Sequence, residues 1–187
     1  MLRARINQTT LELLQGDITQ QDADAIVNAA NTSLLSGGGV DGAIHRVAGA
    51  ELLAATRKLG GCETGDAKIT KGYKLKARYV IHTIGPIYRS NDADVPRLLT
   101  SAYRRSLEVA LERGVQSLAF PAISTGVYGY PLEPATLIAL STVCDFAAAH
   151  EQPKQVRFVL FDARAMNEYQ RTLSVLMQRR GDLQSLD

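Results

Sequence analysis

The sequence predicts an α/β fold: a mixed, mostly parallel sheet covered by helices on both faces. Three observations lead there. Four short segments, Ala25–Ala29, Arg78–Ile84, Ser117–Ala122 and Val156–Phe161, are rich in β-branched and aromatic residues, as buried strands are. Amphipathic helical stretches lie between and after the later ones. Two weaker strands at the start, Leu2–Gln8 and Thr10–Gln15, meet at Gln8–Thr9, which is too short for a parallel crossover, so that pair is antiparallel.

The other elements follow from local signals. A short turn is expected at Ile18–Gln21, a helix beginning near Val40, and a further weak strand at Ala67–Lys71. Pro96–Arg113 carries Leu99, Tyr103, Leu107 and Ala110 on one helical face and stops before Gly114, a natural residue to follow a helix. Pro134–Ala149 opens with proline in its first turn, after Glu133. Ala165–Arg180 turns Met166, Tyr169, Leu173, Leu176 and Met177 inward. Without a repeat, linker or low-complexity stretch, residues 1–180 are expected to form one domain, with 181–187 a frayed tail.

Composition narrows the function. A chain of 187 residues can bury a core without staples, and 45% hydrophobic with 21% charged residues is ordinary for a globular protein. A net charge of +2 suits an anionic small molecule and is too small to argue for nucleic acid. Cys62 and Cys144 lack CxxC spacing, so neither a zinc site nor a disulfide framework is indicated, and Cys144 is expected to be a buried small hydrophobe. The N-terminus has no apolar signal segment and no apolar run approaches a membrane span, so the expected setting is cytoplasmic, with no membrane partner.

The most informative stretch is Ala25–Gly42, AIVNAANTSLLSGGGVDG. A strand ends on two asparagines, Asn28 and Asn31, and three glycines, Gly37, Gly38 and Gly39, then lead into the helix near Val40. Bare backbone N–H groups at a helix N-terminus hold phosphate. The acid in that helix start, Asp41, would repel phosphate, so it is there for chemistry or for a hydroxyl. Asn28 is expected to tie down loop backbone, and Asn31, further out, to hold sugar hydroxyls. His45, four residues after Asp41, could orient the acid, but is read here as a surface or core histidine, and His82 as structural.

Two more loops should reach the same rim, outside the carboxyl ends of the strands. Ser124-Thr125-Gly126-Val127-Tyr128 offers hydroxyls and backbone N–H groups for a second phosphate, with Tyr128 as a wall. Asp17, after Gly16, could accept the exocyclic amine of adenine while the Ile18 N–H meets a ring nitrogen, although Asp17 equally suits the cap of the turn that follows. Phe161, closing the last strand, could stack on the base or belong to the core.

These residues together resemble the macrodomain family, in particular its MacroD-type ADP-ribose hydrolases. The similar segments are Gly16–Thr19, Val27–Asn31, Gly37–His45, Ile81–Pro86 and Phe120–Pro131, which run over most of the chain in family order. The resemblance implies a three-layer α/β/α fold with an ADP-ribose cleft. It implies that Asp17 and Ile18 read adenine, that Phe161 stacks on it, and that Gly37–Val40 and Ser124–Tyr128 embrace the diphosphate and distal ribose. Asn31 and Asp41 would be the catalytic pair facing that ribose. Two positions depart from the pattern: Ser36 stands where a fourth glycine is common, and Phe161 lacks the hydroxyl of the tyrosine often found there.

The reaction so implied is attack of water on an ester of the distal ribose, in O-acetyl-ADP-ribose or in mono-ADP-ribosylated proteins modified on acidic side chains. A retaining glycosidase needs two carboxylates, and the motif loops supply one near the sugar, Asp41, which would position and deprotonate the water. Neither a metal nor a cofactor is called for. Two rivals stand beside this reading. A non-catalytic ADP-ribose reader would have no need of the acid. A Rossmann-type nicotinamide dehydrogenase would rest on the GxGxxG match at Gly37–Gly42, which Thr32–Ser36 separate from their strand.

Overall fold

The computed structural model describes residues Met1–Asp187. The strands are β1 (Leu2–Ile6), β2 (Thr9–Gln15), β3 (Ala25–Ala29), β4 (Ala67–Lys71), β5 (Tyr79–Thr83), β6 (Ser117–Phe120), β7 (Gln155–Leu160) and β8 (Leu183–Ser185). The helices are α1 (Gly39–Ala48), α2 (Ala50–Leu59), α3 (Val95–Glu112), α4 (Leu132–Ala149) and α5 (Ala163–Arg179), with a 3-10 turn at Ile18–Gln20. One sheet takes the order β4-β5-β3-β6-β7-β2-β1-β8. Its centre, β5-β3-β6-β7-β2, is parallel, and its flanks β4, β1 and β8 are antiparallel.

Alternation along β3 makes the three layers. Ala25 and Val27 face the larger core, which is completed by α3, α4 and α5 and includes Phe120, Phe158, Tyr103 and Tyr169. Ile26, with Val80 of β5, faces the smaller core built with Ile44, Ala48 and Leu52 of α1 and α2. A strand apolar on both sides is what a sheet covered on both faces requires. Asn28 and His82 continue the Ile26 and Val80 rows, so both belong to the α1 side of the sheet.

Because β3, β6, β7 and β2 are adjacent and parallel, the loops after β2, β3, β6 and β7 all leave from one rim. That convergence agrees with the sequence reading. Four local expectations are corrected. The first hairpin turns at Asn7-Gln8, one residue earlier than expected, with Asn7 in the left-handed region at φ 50°. Helix α2 is absent from the sequence reading; it buries only Leu52 and Thr56, so few apolar positions mark its inner face. Gly49, at φ 88°, breaks the path between α1 and α2.

Helix α4, 18 residues at a mean hydropathy of 1.3, does reach the length and apolarity of a span, contrary to expectation. Its buried residues, among them Ala139, Leu140, Val143 and Cys144, belong to the larger core beside α3 and α5, which accounts for its apolar character.

The tail does not fray. Residues Leu183–Ser185 pair antiparallel with β1, Leu186 N–H donates to Arg3 O, and Arg180 bridges Asp145 and Asp182. Leu183 is buried in the larger core, and that burial is the apolar anchor that the charged tail hides at the sequence level. We expect Leu183→Ala to lower stability by about 2 kcal/mol through lost transfer energy and a residual cavity. Urea unfolding checks this, and an unchanged midpoint would show that β8 contributes nothing.

Candidate active site

The loop between β3 and α1 is organised by a buried acid. Asp41 lies in the first turn of α1 and is 4% exposed, so its charge needs partners. The Gly37 N–H donates to Oδ2 at 2.6 Å, and Asn28 Nδ2 donates to Oδ1 at 2.7 Å. His45 Nε2, one turn along α1, lies 3.4 Å from Oδ1. The positive end of the α1 dipole adds to these contacts. Asn28 therefore holds the acid and does not tie down loop backbone, which corrects the sequence reading. His45 is buried, as a core histidine would be, and is also within reach of the acid, the option that its i+4 spacing had offered.

Asn31 stands across the loop from Asp41. A Cβ added at Gly37 would sit 3.2 Å from Asp41 Oδ2 and 3.3 Å from Asn31 Nδ2, so glycine here lets the two polar groups face one space. Asn31 Oδ1 accepts from Ser33 Oγ at 2.7 Å, which fixes the amide with its Nδ2 turned toward Gly37. Gly38, Gly39 and Val40 follow at the start of α1, where backbone N–H groups have no intrahelical acceptor. The Gly37 amide, expected to serve a phosphate, is instead spent on Asp41.

The loop after β6 is held from beneath. Tyr103 on α3 accepts the Ile123 N–H at 3.0 Å. Ser124, in the left-handed region at φ 66°, donates its hydroxyl to Pro86 O at 2.8 Å. A Cβ on Gly85 would collide with Ser124 Oγ at 2.2 Å, so glycine lets the two loops touch. Thr125 Oγ1 donates to Ala122 O, and Tyr88 N–H donates to Tyr128 O. Of the two hydroxyls expected to grip a phosphate, Ser124's ties the loop to Pro86 and Thr125's bonds within the loop, so what the loop can offer a ligand is its backbone N–H groups. Val127, at 101% exposure, stands clear at the loop's tip. The sequence reading gave Tyr103, Gly85 and Pro86 no part in the site; the Gly85-Pro86 pair was the available signal.

At the far end of the rim, Asp17 caps the 3-10 turn: Oδ1 accepts from Thr19 N at 2.8 Å and from Thr19 Oγ1 at 2.7 Å. The cap and the adenine role do not compete, because the cap fixes the side chain through Oδ1 and leaves Oδ2 unoccupied. The Ile18 N–H has no backbone acceptor. Phe161 follows directly on β7 and is 88% exposed, so it is no core aromatic. The pairing of Gln15 with Leu160, and the Gly16 N–H to Leu160 O bond, set Phe161 beside Gly16-Asp17. The rim thus runs from an exposed aromatic and an acid, through two loops with free amides, to a buried acid and an amide.

Neither cysteine offers a nucleophile. Burial pushes the Cys144 thiol up to about 12, and burial with Asp66 nearby also raises Cys62. A separate groove of about 820 Å³, lined by Glu133, Arg164, Asn167 and Arg171 among others, lies between the starts of α4 and α5 and includes none of the rim residues above. Its Arg171 is already paired with Glu133 and Glu168.

Comparison with known proteins shows the family. The Macro domain family model matches residues 27–139. An O-acetyl-ADP-ribose deacetylase of Cronobacter sakazakii is 52% identical over 167 residues, covering 87% of this chain and 93% of that protein. The ADP-ribose glycohydrolase MACROD2 of Xenopus laevis is 52% identical over 169 residues, covering 89% of this chain but 40% of that longer protein. An Oceanobacillus iheyensis macrodomain solved with ADP superposes at a TM-score of 0.92, with 42% identity over 96% of this chain and all of that one. This likeness excludes the Rossmann alternative, as does the loop Ala30–Gly38 that parts β3 from α1. The chain belongs to the macrodomain family.

Proposed function

We propose that this protein binds ADP-ribose along the rim and hydrolyses esters of its distal ribose. The substrates would be O-acetyl-ADP-ribose and proteins carrying mono-ADP-ribose on acidic side chains. The observation that carries this reading is the buried Asp41 carboxylate facing the same space as Asn31 across Gly37. The names of the two relatives, a deacetylase and a glycohydrolase, support hydrolysis, and the ADP of the structural neighbour supports the nucleotide half of the site.

In this reading adenine lies against Phe161, with its amine on Asp17 Oδ2 and a ring nitrogen on the Ile18 N–H. The diphosphate takes the amides of Gly38, Gly39 and Val40 on one side and those of Thr125, Gly126, Val127 and Tyr128 on the other. Asn31 holds a distal ribose hydroxyl. Water attacks the ester carbonyl carbon, Asp41 takes its proton, and the bond from the acyl carbon to the ribose oxygen breaks. The products are a carboxylic acid and ADP-ribose with that hydroxyl restored.

A second reading has a specific observation behind it. Asp41 takes the Gly37 N–H, so it could serve only to shape the glycine loop of a non-catalytic reader. Asp41→Asn separates the two: the amide oxygen still accepts from Gly37, its Nδ2 can be met by the Asn28 carbonyl after that amide turns over, and the base is lost. With an aspartate- or glutamate-linked ADP-ribosylated protein and with O-acetyl-ADP-ribose, we expect hydrolysis to fall by about two to four orders of magnitude while ADP-ribose affinity stays within about tenfold. A wild-type protein that binds ADP-ribose and releases nothing from either substrate would be a reader.

Two binding predictions test the path of the ligand. Gly38 has φ −95° and no atom within 4 Å of an added Cβ, so Gly38→Glu should fold normally. It places a negative charge at the diphosphate and should abolish ADP-ribose binding by calorimetry; a folded variant with full affinity would move the phosphates elsewhere. Asp17→Ala should cost about 1.5–3 kcal/mol of ADP-ribose affinity, the range for a hydrogen bond to a charged group. An inosine analogue without the amine should bind wild type and variant about equally, and equal wild-type affinity for both nucleotides would remove Asp17 from the site.

A further inference from the structure

We infer that His82, which touches no part of the rim, is the positioning residue for the Asp41 carboxylate, acting through the amide of Asn28. The inference rests on the hydrolase reading above only for its catalytic consequence. Residues Asn28 and His82 are partners in the parallel β3–β5 register, so their side chains share one face of the sheet. Asn28 Nδ2 lies 3.1 Å from His82 Nδ1 and 2.7 Å from Asp41 Oδ1. On the other side of the ring, His82 Nε2 lies 2.9 Å from Thr70 Oγ1, whose hydroxyl donates to Lys71 O at 3.1 Å.

These contacts have one consistent set of protons. Asp41 can only accept, so it is Asn28 Nδ2 that faces it and, 3.1 Å away, His82 Nδ1; the single proton of the neutral ring then sits on Nε2 and is donated to Thr70 Oγ1. Nδ1 is then a bare acceptor, and Asn28 must turn its two N–H groups to His82 and Asp41. A flipped Asn28 would set its carbonyl against both the Nδ1 lone pair and the carboxylate. The carbonyl in the observed orientation is buried and has no partner, an orphan tolerated because the two donations of Nδ2 fix the amide. Full burial, with a smaller effect from nearby His45, pushes the His82 imidazole down to about 3, so the ring stays neutral at ordinary pH. The chain Lys71–Thr70–His82–Asn28–Asp41 therefore ties the orientation of the acid on α1 to the strand pair β4–β5.

Substitution at His82 separates positioning from packing. Asparagine can set an acceptor oxygen where Nδ1 stands and so preserve the bond to Asn28. Glutamine places its polar end where Nε2 stands, toward Thr70. Leucine supplies neither. We expect His82→Leu and His82→Gln to lower kcat for ester hydrolysis by about ten- to a hundredfold with KM within about twofold, and His82→Asn to keep most of the rate. A packing role would instead rank the variants by volume, with the smaller asparagine worst.

Nitrogen NMR of the wild type tests the same geometry without turnover and without a variant that must fold. His82 should show a protonated Nε2 and a bare Nδ1 throughout pH 5–9. The Asn28 side-chain amide should give two separate, exchange-protected proton signals. An Nδ1–H tautomer, titration of His82 within that range, or a His82→Leu variant with full kcat would overturn the inference. If the wild type hydrolyses no ester yet shows this NMR pattern, the positioning contact stands and the hydrolase reading falls.

Discussion

A carboxylate sits inside the protein at the end of a glycine-rich loop, and much of the site's local architecture follows from keeping it there. Desolvating such a charge costs several kcal/mol unless hydrogen bonds replace the lost water. The partners of Asp41 come from three places: Asn28 from β3, the Gly37 amide from the loop, and His45 from α1 itself. Satisfying one ion thus fastens a strand, a loop and a helix to each other. The same bonds set the shape of the loop, because the Gly37 N–H can reach Oδ2 only if the chain folds back over the first turn of α1. That back-reach resembles the reciprocal half of a capping box, in which an acid near the helix start takes an amide that precedes it.

In the proposed binding mode, this arrangement would let an acid and a diphosphate share one helix N-terminus. The Gly37 amide is consumed by the acid, and the amides at Gly38, Gly39 and Val40 are left without an intrahelical acceptor. Acid and anion therefore draw on different donors of the same turn. The opposite loop reaches a similar result by other means. Tyr103, Pro86 and Ala122 take up the Ile123 amide and the loop's two hydroxyls, and Ser124 adopts a left-handed conformation that costs about 1–3 kcal/mol for a residue with a Cβ. Both loops are held before any ligand arrives, which lowers the ordering cost of binding.

Most strands of the sheet are legible because short runs of β-branched and apolar residues mark them locally. Ala25–Ala29 and Ala67–Lys71 match their expected limits, and the parallel order that gathers the loops on one rim follows from strands alternating with helices. The elements missed are those whose stability is supplied from elsewhere. Helix α2 buries two residues, and β8 depends on Leu183 reaching a core formed by distant segments. In the site, the residue types were readable but their partners were not. Composition shows that Ser124 and Thr125 carry hydroxyls; only the fold shows those hydroxyls donating to Pro86 and Ala122. The partners of Asn28 are hidden for the same reason, since nothing in sequence spacing brings His82, 54 positions away, to its side.

What separates a hydrolase from a reader on this scaffold is then narrower than the presence of an acid. A carboxylate offers about four acceptor positions, and the partners of Asp41 occupy two firmly, through Asn28 and Gly37, with His45 at a longer 3.4 Å. The remaining capacity of Oδ2 is the one that borders Asn31 above Gly37, where the absence of a side chain leaves room. A reader would gain by filling that space or by replacing the acid with a neutral group that holds the Gly37 amide equally well, since a buried charge is expensive to keep and works against a bound diphosphate. Keeping the charge, fixing its orientation from two strands away and leaving one acceptor position of Oδ2 open toward a polar amide is the arrangement that a general base requires.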